Sequence, residues 1–518
     1  MYMFTTIIHD LFKKHKDYFY KKLCYNISVM DPEKRAKRQS LKLIVSEAIM
    51  VIAVVAMVIV LAFLVSGYWL GSGFQVERQG MLQISSIPTG ANVAVDGDAP
   101  WFQRTNTSKV LASGEHTVKL TKDGYDSWSR TVNIKDGLLY RVNYPRLFLL
   151  KREKESVLSV PATTTLATVS PDHKWLLLIN NTTTWQLINL TNDKLEPKSI
   201  SVATIFDSVS LADGAKTGLF TGTIASFNWS GDNEHILIKT RSDDAIEWVI
   251  LNVKNPSESV NLTRRFATTF DDIRIFDNSA TVLLALKGAN LHKIDTSTSQ
   301  ISAVLISGIK NYNIYGPEII FTALAPDDYD IKDEIISRDG IDEVLDEPAP
   351  QYYTGIIKLN SPEQITYVTS ATDLSRAYIS HFYDEKYITI IMDDTITIYK
   401  CDGSETIFDA DLTLSPDQIK IGDDGSFVFM NTGEQVATFD MEASILNDWL
   451  LNSEHFGWLD GHTIYTVDDG ELDVYDYDGL NHRTISSNVS ANFPVTITDN
   501  KWLYYFSDGE LIREKILD

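Results

Sequence analysis

Cysteine is almost missing from this sequence. Of 518 residues only Cys24 and Cys401 are thiols. An uncharged apolar stretch between them puts them on opposite sides of any membrane it crosses, so no disulfide framework holds the fold. Core burial has to do that instead, and a chain of this length with 44% apolar and 11% aromatic residues has material for two or three cores. Basic charge is scarce beyond the first 46 residues: 36 Lys and Arg stand against 66 Asp and Glu over 47–518, a net of −30. That excess repels nucleic acid and anionic lipid headgroups, so no nucleic-acid partner is expected. The ten histidines are scattered, with neither His-Glu-x-x-His nor a Cys-His cluster to build a zinc site. A Walker A loop, a Gly-x-Gly-x-x-Gly turn after a strand and a Gly-x-Ser-x-Gly elbow are all absent.

What is present begins with a membrane signal. Ala48 to Gln75 is a run of 28 residues without a formal charge, and about 20 apolar residues suffice to cross a bilayer as a helix. Lys34, Arg35, Lys37, Arg38 and Lys42 precede it, while Tyr68 and Trp69 sit at its far end. The positive-inside rule and the aromatic preference for the interface then predict one transmembrane helix over 47–72, with a basic tail (1–46) in the cytoplasm and everything later outside. A cleaved signal peptide has a shorter apolar region nearer the start. Residues 1–29 differ in texture from the compact basic stretch that starts at Met30. They read either as a mis-assigned start or as a basic amphipathic segment on the inner leaflet.

A small β module follows over 78–146. Met81–Ser85 alternates, Pro88-Thr89-Gly90-Ala91 turns, Val93 and Val95 share a face, and Asp96-Gly97 closes that strand. Gly114 opens a strand through His116, Val118 and Leu120, and Gly124-Tyr125 turns before Trp128 and Thr131–Ile134. This order of turns and strands resembles the PEGA domain family, small β modules of prokaryotic surface and envelope proteins. Two departures are Thr89 in place of the Glu that names the family and the lack of Thr-Pro around Ala99–Thr105. The resemblance implies an envelope setting and brings no catalytic residues.

From 155 to 518 one unit recurs: a turn with Asp or Gly, an apolar strand, a polar turn and a second alternating strand. The opening turns fall near Asp172, Asp232, Asp277, Gly316, Asp384, Asp424, Asp460 and Asp499, at spacings of 60, 45, 39, 68, 40, 36 and 39 residues. Most match the roughly 40–50 residues of a four-stranded propeller blade. The predicted hairpins include Trp175–Ile179 with Trp185–Leu190, Tyr387–Met392 with Thr395–Lys400, Thr463–Val467 with Leu472–Tyr475, and Trp502–Phe506 with Leu511–Glu514. Val169-Ser170-Pro171-Asp172 and Asn228-Trp229-Ser230-Gly231-Asp232 resemble the strand entry of the TolB and WD40 propellers. The expected class is therefore an all-β region outside the membrane, a PEGA-like module plus a β-propeller of eight blades, or seven if one hairpin is an insertion. A two-sheet sandwich is the competing architecture. Insertions are expected at the Ser/Thr-rich 191–223 and at 327–347.

The second insertion carries the candidate site. It holds ten acidic residues against Lys332 and Arg338, and interrupts the hairpin between Glu318–Leu324 and Tyr352–Leu359. Asp328, Asp330 and Asp333 are candidate Ca²⁺ ligands, although EF-hand spacing is absent. Asp339 and Asp342 are candidate binding residues, as is Trp101, which sits in a turn beside Pro100. The other large aromatics, Trp128, Trp229, Trp248, Trp449, Trp458 and Trp502, fit a core better than a sugar platform. No other cofactor is implied. The reading of the whole is a non-enzymatic binding scaffold, anchored at the outer face of the cytoplasmic membrane and engaging an envelope protein or cell-wall polymer. Alternatives are a propeller hydrolase or lyase acting on glycans, with carboxylate pairs hidden in the sequence, and an envelope sensor.

Overall fold

The computed structural model describes residues 45–58, 68–70, 76–100, 103–210, 218–242, 245–326, 351–371, 373–403, 405–422 and 425–518. Two compact units make up the chain. One comprises Met1–Gln83, Ser108–His116 and Val132–Tyr140, and the other Ile84–Thr107, Thr117–Thr131 and Arg141–Asp518.

Residues 45–58 are helical with their side chains exposed, among them Ile49, Val51, Ile52, Met57 and Val58. No helix among the described residues is long and apolar enough to cross a membrane. The far end of the expected 47–72 helix is a strand instead, since Tyr68–Leu70 pairs antiparallel with Val76–Arg78. Gly67, Gly71 and Gly73 bracket this triplet, and glycine disfavours helix while Tyr and Trp favour strand.

In the small module, Val76–Ile84 pairs with Tyr68–Leu70, Thr107–Ala112 and Leu139–Val142, and a second sheet has the order Asn92–Val95, Gly114–Thr121, Trp128–Ile134. The expected alternation holds: Val93, Val95, Val118 and Leu120 are buried, with half-buried Ala94 and exposed Lys119 between them. Thr107–Ala112 and Leu139–Val142 were not anticipated. In Thr107–Ala112 the apolar residues are adjacent rather than alternating, and Leu139–Val142 is only four residues long, so period-two patterning is faint in both.

The rest is a ring of eight four-stranded sheets. The first blade is built from Thr164–Val169, Trp175–Asn180, Thr184–Asn189 and Lys198–Ser201 in simple up-and-down order. Six more follow within 223–261, 272–301, 309–371, 375–411, 418–452 and 456–486. The eighth takes three strands from 496–515, and Lys154–Ser159 completes it by pairing with Glu510–Lys515. Each expected opening turn that is described lies between the first and second strands of its blade, and Asp424 lies outside the described residues. His173, Asn233 and Asp499 take positive φ in these turns. Gly425 needs both its φ of +72° and its missing side chain, because a Cβ there would lie 1.6 Å from the His381 carbonyl oxygen of the preceding blade.

Inter-blade packing closes the ring. Trp185 and Ile200 of the first blade bury against Ile236 and Val249 of the second, and comparable apolar clusters join each successive pair. Tyr504 and Phe506 of the eighth blade then pack on Leu176 and Leu178 of the first. The first strands of neighbouring blades converge, and their side chains satisfy each other's edge carbonyls. Asn311 donates to Ser375 O (2.6 Å), Asn313 to Ala377 O (2.8 Å) and Arg376 to Asp417 O (3.1 Å). Unpaired strand edges are thereby capped.

One expected insertion is shorter than predicted. Lys198–Ser201, inside the Ser/Thr-rich 191–223, is the fourth strand of the first blade, with Ile200 fully buried. A single inward aliphatic between two serines concealed it. The extra chain is 202–222, carrying a two-stranded ribbon of Val209–Ser210 and Leu219–Phe220. The buried Glu247 carboxylate holds it by accepting from Asp207 N (2.6 Å) and the Ser208 hydroxyl (2.9 Å).

Trp185, with no exposed surface, is the test of this packing. Replacement by Ala is expected to cost about 3–5 kcal/mol, read from the denaturant midpoint. Leu219→Ala, at 59% exposure, should stay within about 0.5 kcal/mol.

Candidate functional site

Turns between first and second strands, and between third and fourth strands, lie on one face of the ring. Second-to-third turns and blade-to-blade linkers lie on the other. A charged seam occupies the first face, within the larger unit. The Trp128 indole donates to Asp476 Oδ2 at 2.6 Å. Asn481 exchanges two hydrogen bonds with the Ser129 backbone (3.1 and 3.2 Å) and also donates to Asp476. Arg130 pairs with Asp478 at 2.6 Å, donates to Tyr144 Oη at 2.7 Å and lies over the Tyr477 ring at 4.6 Å. Arg146 bonds both Asp460 (2.7 Å) and Asn500 (2.6 Å). Arg483 pairs with Asp126, and Arg141 lies over Tyr383, whose hydroxyl donates to Glu442 at 2.6 Å. Tyr144 sits edge-on to Trp128 and Tyr477. The ring residues of the seam come from turns of the fifth to eighth blades.

Burial sets the electrostatics. Asp476 is pushed up to about 6 by desolvation, against the pull of the Trp128 hydrogen bond. Burial also raises Asp126 and Asp478, with Arg483 and Arg130 opposing it. At Asp460 burial acts in the same direction, but Arg146 and His462 outweigh it and hold the carboxyl below its ordinary value. Further along, Arg152 reaches the fully buried Glu514 (2.7 Å), which also accepts from Tyr505 (2.8 Å) beside the ring-closing strand. These pairs fix one orientation of the charged groups. Removing one partner strands a desolvated charge.

The opposite face carries the acidic insertion. Its roots are Leu324 and Tyr352, paired across the sheet, with Ala325 N donating to Gln351 O at 2.9 Å. The candidate ligands Asp328, Asp330 and Asp333 and the candidate binding residues Trp101, Asp339 and Asp342 lie outside the described residues. Among the described residues no group of three or more His, Cys, Asp or Glu is arranged to hold a metal. Trp248 is buried, and Trp229, Trp458 and Trp502 pack against inter-blade clusters. The seam itself was not foreseen. Its signal was the basic stretch of Arg141, Arg146, Lys151, Arg152 and Lys154 with one acid, Glu153, in an otherwise acidic region.

Residues 79–146 match the family model of the PEGA domain. No curated relative matches the sequence. Among solved structures the chain is similar to the C-terminal WD40 domain of Sif2, at 10% identity and a TM-score of 0.44, over 70% of this chain and 98% of that one. It is similar to the β-propeller domain of Cps50 (Swd1) from Myceliophteria thermophila, at 9% identity and 0.35, over 70% and 99%. It is also similar to an oligogalacturonate lyase in complex with manganese, at 12% identity and 0.36, over 56% and 88%. Likenesses of this size say nothing about activity, and the propeller architecture rests on the eight sheets themselves.

Two outcomes test the seam. A carboxyl raised above its unfolded value of 3.8 to about 6 favours the folded state at low pH. It loses about 2–3 kcal/mol of that contribution as the pH climbs from about 4 to 6. Asp476→Asn should therefore gain stability relative to the parent over that interval, measured by denaturation at several pH values; a pH-independent difference would contradict the assignment. Arg130→Ala, which leaves the Asp478 side chain charged at 6% exposure, should cost about 3–5 kcal/mol.

Proposed function

We propose that the chain is a non-enzymatic scaffold of the cell envelope, anchored in the cytoplasmic membrane by the apolar segment that includes the helix at 45–58 and presenting its propeller on the outer side. The observation that carries the scaffold reading is the seam. It commits the fifth-to-eighth-blade side of one face to internal contacts, and the opposite face, where both insertions are rooted, is the one proposed for partners. The anchor is supported by the exposed apolar helix at 45–58, an arrangement that water disfavours and lipid accepts. Orientation is supported by Lys34, Arg35, Lys37, Arg38 and Lys42 just before the apolar segment. The partner class is an envelope protein or cell-wall polymer, without a required cofactor. Binding of Ca²⁺ by Asp328, Asp330 and Asp333 remains part of the proposal for the insertion.

Localisation is tested with the full chain in cells. It should stay with membranes after alkaline extraction. Protease added outside the cytoplasmic membrane should cut the acidic insertion while a tag at the N-terminus stays protected. Release by alkali, or protection of the insertion, would contradict the anchored orientation.

A further inference from the structure

The face opposite the seam displays large aliphatic side chains over four consecutive blades. Val304 lies in the linker between the third and fourth blades, Leu324 ends the second strand of the fourth, Leu374 lies in the next linker and Leu414 in the one after. Their exposures are 45%, 48%, 44% and 45%. They form an arc of neighbouring loops rather than isolated positions. Leu324 N donates to Gly308 O in the Val304 linker (3.0 Å), and Tyr352 pairs with both Leu324 and Ala371 just before Leu374. Leu412 N then donates to Asp394 O (2.5 Å), which places the Leu414 linker against the Asp393-Asp394 turn. The acids that accompany the arc are also exposed: Asp393, Asp394, Asp411 and Asp417. Of the nearby cations, Arg376 is engaged with the Pro416 and Asp417 carbonyl oxygens, while Lys287 and Lys310 stand in solvent at the Val304 end of the arc, away from the four acids.

Resting on the scaffold reading above, we infer that this arc docks a partner protein through a segment in which Lys or Arg alternates with aliphatic residues. Charge decides the occupant. A second copy would bring the same acidic face, and an anionic polymer would likewise be repelled. An acidic rim steers a cationic segment, while the aliphatic side chains supply desolvated anchors.

The test uses purified full-length chain in detergent and three short labelled peptides. One alternates lysine with leucine, one alternates glutamate with leucine, and one alternates lysine with serine. Fluorescence anisotropy should show saturable binding of the first alone. The exposed substitutions L374K and L414K together should weaken it at least about tenfold. D393N with D394N should weaken it less and flatten its salt dependence. Circular dichroism verifies that the variants stay folded. Absence of binding by the lysine–leucine peptide, or binding untouched by the leucine substitutions, overturns the assignment. So does self-association of the chain that L374K and L414K abolish, since it gives the face to a second copy. Photo-crosslinking in cells from Leu374, with Leu480 on the seam side as control, separates this inference from the scaffold reading. Envelope-protein adducts from elsewhere on the propeller, with none from Leu374, would leave the scaffold standing and remove this face from it.

Discussion

A row of sheets that pack side by side has a free edge at each end, with unpaired backbone groups and an uncovered apolar face. This chain removes both ends by laying Lys154–Ser159 beside Glu510–Lys515, so that its first propeller strand completes its last blade. Val157 and Leu158 of the closing strand pack against the apolar cluster between the eighth and first blades. The same junction holds the Glu514 carboxylate, desolvated completely and compensated by Arg152 and Tyr505. Ring closure thus depends on backbone pairing and a buried ion pair that form together, and without a disulfide nothing covalent substitutes for them.

The closing strand follows directly on the stretch from Arg141 to Lys154, which supplies much of the seam. Arg146 and Arg152 reach acids on two different segments of the ring, Asp460 and Glu514, and Phe148 enters the cluster between its last two blades. A linker that only tethered would leave these side chains in water. Here they are buried and paired, so docking of this stretch and closure of the ring draw on the same residues. The turns of the fifth to eighth blades on that face are occupied as a result.

Much of the architecture was legible because propeller turns demand particular residues. The turns between first and second strands require positive φ or tight reversal, which Asp, Asn and Gly supply, and so Asp172, Asp232, Asp277 and Asp499 marked blades directly. The central hairpins, such as Trp175–Asn180 with Thr184–Asn189, were legible because the first of the two strands is buried on both faces and the second alternates. Fourth strands were not. Gln300–Ile301 and Val260–Asn261 are two residues each, too short for any period. Lys154–Ser159 could be read as a strand, but its membership in the eighth blade depends on contacts some 350 residues away. The seam was hidden for the same reason, since an acidic turn such as Asp476–Asp478 looks solvated until Trp128 and Arg130 cover it. The residues chosen from sequence, Trp101 and the acids of 327–347, fall outside the described residues, whereas the exposed arc of Val304, Leu324, Leu374 and Leu414 gave no motif at all.

Hydrogen exchange of the full chain, followed by mass spectrometry, tests ring closure most directly. Amides of Lys154–Ser159 should be protected as strongly as those of Glu510–Lys515 and should open with them, together with Trp128–Arg130 and the turn at Asp476–Arg483. Rapid exchange of Lys154–Ser159 while the eighth blade stays protected would show an open ring, and would contradict the account at its foundation.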